Sequence, residues 1–128
     1  MFGLKISTEF KMERVEIKEP LHDGIKEELN GYMERVRPKR LKRPYCMIVD
    51  EDGLLKQLPI NIIGSYLYET DKHMHPIVGD IIIMREEDSY QGPYVTGLRE
   101  EDFPDLENTM GKLIKTYEKY VESGGNVQ

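Results

Sequence analysis

The chain has 128 residues, 38% of them hydrophobic and 33% charged, with a formal net charge of −6 and a single cysteine, Cys46. That length suits one hydrophobic core able to fold without staples, the lone cysteine excludes an internal disulfide and a cysteine-rich zinc site, and the acidic total discourages sequence-independent binding to a polyanion. The longest apolar run near the middle, Ile81-Ile82-Ile83-Met84, is strand-sized and far short of a membrane span. The opening segment, with Lys5 and Glu9 in it, reads as neither signal peptide nor anchor, so a reducing, cytoplasmic setting is expected.

In chain order, Leu4 and Ile6, then Val15 and Ile17, sit two apart, which predicts one long strand or a hairpin over 1–18, ended by Pro20. Leu21, Ile25, Leu29 and Tyr32 recur at helical spacing and predict a short amphipathic helix. Asn30-Gly31 stops it, with the glycine expected to take the left-handed conformation. A strand over 33–37, a basic linker or hairpin loop over 38–44 and an apolar, central strand over 45–49 follow. Asp50-Glu51-Asp52-Gly53 has the composition of a tight turn, the glycine supplying positive φ, and 54–58 reads as a short return strand. Asn61 is placed to cap a helix over 62–68, and 70–76 reads as a polar loop. The β-branched run 77–85 predicts the most buried strand. A loop over 86–93, an edge strand over 94–96 and an acidic turn over 97–103 lead to a final helix, opened by Pro104-Asp105 and reaching about Glu122. The sum is an α+β protein: a mixed, mostly antiparallel sheet of about five strands with two or three helices on one face. Residues 1–122 form the single domain and 123–128 a flexible tail.

Charge is unevenly distributed. Six of the 18 basic residues, Arg35, Arg37, Lys39, Arg40, Lys42 and Arg43, lie in one stretch without an acid, leaving a net of −12 on the rest. Tyr32 and Tyr45 flank that stretch, so it is a candidate for a phosphate, a nucleic acid or an acidic partner; a solvated loop balancing the acidic body is the blander and favoured reading. Glu86, Glu87 and Asp88, with Glu100, Glu101 and Asp102, follow neighbouring strands and form a candidate negative face for a basic partner, such as the nucleic-acid groove of a nuclease. Solubility alone also explains them.

Motifs for chemistry fail on spacing. Aligning Gly53 to the glycine of a calcium loop puts Ile48 first and Pro59 last, where acids are required. His73 and His75, beside Asp71, suit a shared metal only in an extended segment, and no third ligand accompanies them; His22 and Cys46 are distant. Cys46, between Tyr45 and Met47, reads as a small buried hydrophobe rather than a nucleophile. No nucleophile elbow, phosphate-cradling glycine loop or zincin motif is present. No catalytic residue, metal or cofactor is therefore expected, and the chain reads as a binding module rather than an enzyme.

Five pieces in order, Gly31-Tyr32-Met33-Glu34, Ile48-Val49-Asp50-Glu51-Asp52-Gly53, Leu58-Pro59-Ile60-Asn61, Ile77-Val78-Gly79-Asp80-Ile81-Ile82 and Gly97-Leu98-Arg99-Glu100-Glu101-Asp102, resemble an uncharacterised domain-of-unknown-function family of small proteins found in bacteriophages, plasmids and conjugative elements. The resemblance covers roughly residues 12 to 103. The chain departs from the pattern in its long, charged stretch from Arg37 to Arg43 and in its extended last helix. The family carries no assigned catalytic residues. What the resemblance implies is context: a mobile-element accessory protein in a bacterial host cytoplasm, docking on a host protein and able to inhibit a defence system such as a CRISPR nuclease, with nucleic-acid binding through 35–43 as the alternative and no membrane involved.

Overall fold

The computed structural model describes residues 1–73 and 75–124, the side chain of His73 excepted. β1 (Phe2–Ile6) and β2 (Met12–Glu16) form an antiparallel hairpin. Its turn is held by the Ser7 hydroxyl, which accepts from the backbone N–H groups of Glu9 and Lys11, each at 3.1 Å. Next come α1 (Leu21–Leu29), β3 (Met33–Val36), β4 (Tyr45–Asp50), α2 (Ile62–Tyr68), α3 (Thr70–His73), β5 (Ile81–Glu87), β6 (Tyr94–Thr96) and α4 (Phe103–Glu122), the last entered through one 3-10 turn at Glu100–Asp102. Every strand pairing is antiparallel and the sheet order is β2-β1-β5-β4-β3. β6 shares one side of β5 with β1. β1 pairs with Ile81–Ile83 and β6 with Arg85–Glu87, and a bridge from Phe2 to Leu98 joins the two along that side.

The α+β architecture expected from the pattern is observed, with six strands in one sheet. The helices, however, divide between two faces. β5 is apolar on both sides. Ile81 and Ile83 join Leu4, Ile6, Met47, Val49, residues of α2 and the buried stripe Phe103, Leu106, Met110 and Ile114 of α4. Ile82 and Met84 join Cys46, Ile48, Val15, Ile17 and Ile25 of α1. A central strand with two apolar faces requires cover on both, so α1 lies opposite α2 and α4.

Several local expectations shift for identifiable reasons. The left-handed residue ending α1 is Asn30, at φ 55°, a conformation asparagine tolerates. Gly31 is needed for another reason: a Cβ there would clash with the buried Asp50 carboxylate. The return strand expected over 54–58 is a series of turns, closed by Lys56 N–H to Asp52 O at 2.9 Å and Leu58 N–H to Gly53 O at 3.1 Å. There Gln57, not Gly53, has positive φ, and Leu54 and Leu55 are exposed. The turns are anchored by Lys56, whose Nζ donates to Asp50 Oδ2 at 2.7 Å and Asn30 O at 2.9 Å.

Asn61 does more than cap. Its Oδ1 accepts from the Gly64 N–H at 2.9 Å, while its amide donates to Ile6 O and Gly79 O, both at 3.0 Å. The predicted strand start at 77 moves to Ile81 because Gly79 turns the chain at φ 78°. The predicted loop over 86–93 begins later, since Glu86 and Glu87 lie inside β5. The 70–76 loop contains the one-turn helix α3. Of the tail expected over 123–128, residues 125–128 lie outside the described residues. No helix among the described residues is long and apolar enough to cross a membrane.

Candidate functional site

Polar side chains gather where β3, β4, β5 and β6 end together, and the sheet sorts them onto its two faces. On the face under α4, Tyr45 and Arg85 are register partners across β4 and β5. The Tyr45 hydroxyl donates to Asp102 Oδ1 at 2.9 Å and Arg85 donates to the same oxygen at 2.8 Å. The Arg99 backbone N–H donates to Asp102 Oδ2 at 2.7 Å. Burial pushes the Asp102 carboxyl up, but these three donors outweigh it and hold it below the usual carboxylate range. Burial, reinforced by Asp102, pushes the Tyr45 phenol up to about 12, so it stays protonated as the donor. Arg85 also donates to Glu87 Oε1 at 3.0 Å, which Arg99 reaches at 3.1 Å. This cluster pins the start of α4 to the sheet.

On the opposite face, Glu86 is buried with Arg35 and Arg37 over it. Arg37 donates to Glu86 Oε1 through Nε, at 3.1 Å, and its terminal nitrogen lies 3.1 Å from the same oxygen. Arg35 Nε lies 3.0 Å from Oε2 without hydrogen-bond alignment, leaving Oε2 with no hydrogen-bond partner among the described residues. The pairing expresses sheet order: β3, carrying Arg35, flanks β4, and β4 flanks β5, carrying Glu86. Below them Cys46 is fully buried, and burial, then the Glu86 charge, push its thiol up to about 12. A thiol so protonated is a small hydrophobe, not a nucleophile.

The remaining basic residues divide. Arg40 stacks on the Tyr66 ring at 4.5 Å, donates to Tyr66 O at 3.0 Å and pairs with Glu69 and Asp71. It forms one wall of a groove of about 1270 Å³ between α2–α3 and the end of α4, where Tyr66 and Tyr117 also lie. Arg43 is exposed and only 3.9 Å from Asp88. Lys39 and Lys42 are exposed and form no ion pair among the described residues.

The expected separation into a basic loop and an acidic face over Glu86, Glu87, Asp88, Glu100, Glu101 and Asp102 therefore does not hold as drawn. Glu86 and Asp102 are buried, Glu87 is half-buried between Arg85 and Arg99, and only Asp88, Glu100 and Glu101 stay exposed. Exposed acids without an ion pair among the described residues also lie elsewhere, among them Glu13 and Glu16 on the edge strand β2, then Glu19 and Asp23 at the approach to α1 and in its first turn. Sequence reasoning missed this exchange because Glu86 looked like loop. The alternation Ile82-Met84-Glu86, which sends all three to one face, is the signal that finds it. Among the described residues no three His, Cys, Asp or Glu side chains converge as metal ligands, and the His73 half of the His73–His75 reading lies outside the described side chains.

The sequence family described as a domain of unknown function, DUF3846, matches residues 1–118. No curated protein and no solved structure matches.

Proposed function

This chain belongs to the DUF3846 family, and we propose that it is a non-enzymatic binding module that docks on a host protein through its exposed charges. The observation behind this reading is what the internal pairing leaves over. The cations Lys39 and Lys42 stand without an ion pair among the described residues on one loop, beside Arg43, which lies 3.9 Å from Asp88, and the acids Glu13, Glu16, Glu19 and Asp23 stand along the opposite sheet edge and the start of α1. The buried Asp102 and Asn61 and the half-buried Tyr45 and Arg85 already serve the scaffold. A rigid body with opposite charges at two places steers encounter and fixes orientation. The mobile-element setting comes from the sequence resemblance, and in that setting a defence nuclease such as a CRISPR nuclease is the partner class whose inhibition serves such an element. Nucleic-acid binding through 35–43 is the second reading; of its six cations, Arg35 and Arg37 share the one buried carboxylate of Glu86 and Arg40 pairs with Glu69, which leaves less free charge than the stretch carries and weakens it.

The test is affinity enrichment from bacterial lysate at low and moderate salt, with and without nuclease treatment. The wild type is compared with two variants, one combining Lys39→Glu, Lys42→Glu and Arg43→Glu, the other combining Glu13→Lys, Glu16→Lys, Glu19→Lys and Asp23→Lys. A host protein recovered by the wild type after nuclease treatment, and lost by one variant, supports the reading and names the docking surface. Recovery that nuclease treatment abolishes replaces it with the nucleic-acid reading, and recovery of no specific protein by the wild type rejects it.

A further inference from the structure

Glu86 is a carboxylate taken out of water inside a sheet, and a buried carboxylate needs compensating cations. It has two, Arg35 and Arg37, so the trio carries a net positive charge. Arg35 approaches Glu86 through Nε, and its terminal amino groups make no ion pair among the described residues. Arg37 uses Nε and one terminal nitrogen on a single carboxylate oxygen, and its side chain is 64% exposed. Two guanidinium groups are thus held side by side by one buried carboxylate, each with donor capacity left over. Arginine presents five donors in a planar fork that matches phosphate geometry. The backbone fixes the place: Glu86 N–H donates to Pro44 O at 2.7 Å, tying the base of the 38–44 loop, with its unpaired Lys39 and Lys42, to β5. The opposing charge nearby is Asp88, already 3.9 Å from Arg43.

We propose that Arg35 and Arg37, positioned by Glu86, form a binding site for a phosphate group. This goes beyond protein docking and does not depend on it, since the loop-tip and β2-edge charges lie outside the trio. Glu86 is the positioning residue and the two arginines are the ligands. A second buried carboxylate oxygen without a hydrogen-bond partner among the described residues fits an arginine free to realign its fork when a ligand arrives. Free phosphate, nucleotides and the backbone of a single strand share this chemistry and differ in how many phosphates they present.

The experiment is an NMR titration of the full chain, following arginine Nε–H and backbone amide signals at constant ionic strength. The probes are sodium phosphate, adenosine monophosphate and a single-stranded oligothymidylate, with sodium chloride as the control. The expected result is a saturable shift at Arg35 and Arg37 with phosphate and none with chloride. Arg35→Ala or Arg37→Ala should each weaken binding about tenfold. Glu86→Gln should weaken it while leaving the amide spectrum folded, and Arg37→Lys should fail to restore it, since a lysine supplies charge without the fork. Comparable affinity for phosphate and adenosine monophosphate assigns a small ligand; much tighter binding of the oligothymidylate, weakening when the titration is repeated at higher salt, assigns a polynucleotide backbone. Absence of a saturable shift, an equal response to chloride, or shifts that persist in both arginine-to-alanine variants would overturn the proposal. Loss of phosphate binding with retained capture of a host protein would sink this inference alone.

Discussion

The two faces of the sheet handle the same problem in opposite ways. Under α4, the acid Asp102 is enclosed by Tyr45, Arg85 and the Arg99 N–H, and every donor is used in fastening a helix to a strand. On the α1 face, the acid Glu86 sits at a comparable depth, but its two arginines stay partly in water, because α1 has only nine residues and covers the Ile82 end of that face. One face is closed by a twenty-residue helix and its charges hold the fold. The other is left open at one end, and its charges face outward. Which residues are structural and which are available follows from helix length as much as from residue type.

The largest expected effect breaks the hydrophobic side of this comparison. Ile83 and Ile82 are both fully buried, on the α4 and α1 faces respectively. Ile83→Ala should cost about 4 kcal/mol, because its cavity is walled by long, fixed elements. Ile82→Ala should cost about 3 kcal/mol, because the short α1 can settle into the space. Urea unfolding of the two variants checks the order; a larger loss at Ile82 would contradict it. Next, Asp102→Ala should cost about 3 kcal/mol by leaving Arg85 and Tyr45 short of their acceptor.

The pH dependence follows with a definite sign. Asp102 is held below its ordinary value of 3.8, so its contribution is full above that value and is lost as pH falls through the lower, folded-state value. The wild type should therefore lose stability more steeply than Asp102→Ala below about pH 4, which acid titration followed by circular dichroism reads directly. The smallest effect sharpens the comparison from outside: Leu55, 85% exposed on the 51–58 turns, should change stability by less than about 0.5 kcal/mol when replaced by alanine.

Much of the scaffold was legible in the sequence, and the reasons are specific. The opening of the last helix at Pro104-Asp105 and the cap at Asn61 report local geometry that the chain itself determines, and α2 and α4 follow from them closely. Over 1–18 alternation alone predicts one long strand or a hairpin, and the hairpin is what forms. The misread pieces depend on distant partners. Gly31 is set by Asp50, which its own neighbours do not reveal. Leu54 and Leu55 suggest a strand, yet Lys56 turns the chain back to reach Asp50 and Asn30. The candidate site was legible as residue types and not as an arrangement: Arg35, Arg37 and Glu86 are all singled out by charge, but only sheet order brings them together, and the division of helices between two faces decides which side stays open.

The most direct test sets Asp102→Ala beside Arg37→Ala, measuring unfolding free energy and phosphate binding on both. The structure predicts that Asp102→Ala loses about 3 kcal/mol of stability and keeps its affinity for phosphate. Arg37→Ala should lose less, about 2 kcal/mol, because Arg35 stays beside Glu86, and should bind phosphate weakly. If Arg37→Ala proves the more destabilising, or if Asp102→Ala is the variant that loses binding, the division of the two faces into a closed, structural side and an open, binding side is wrong.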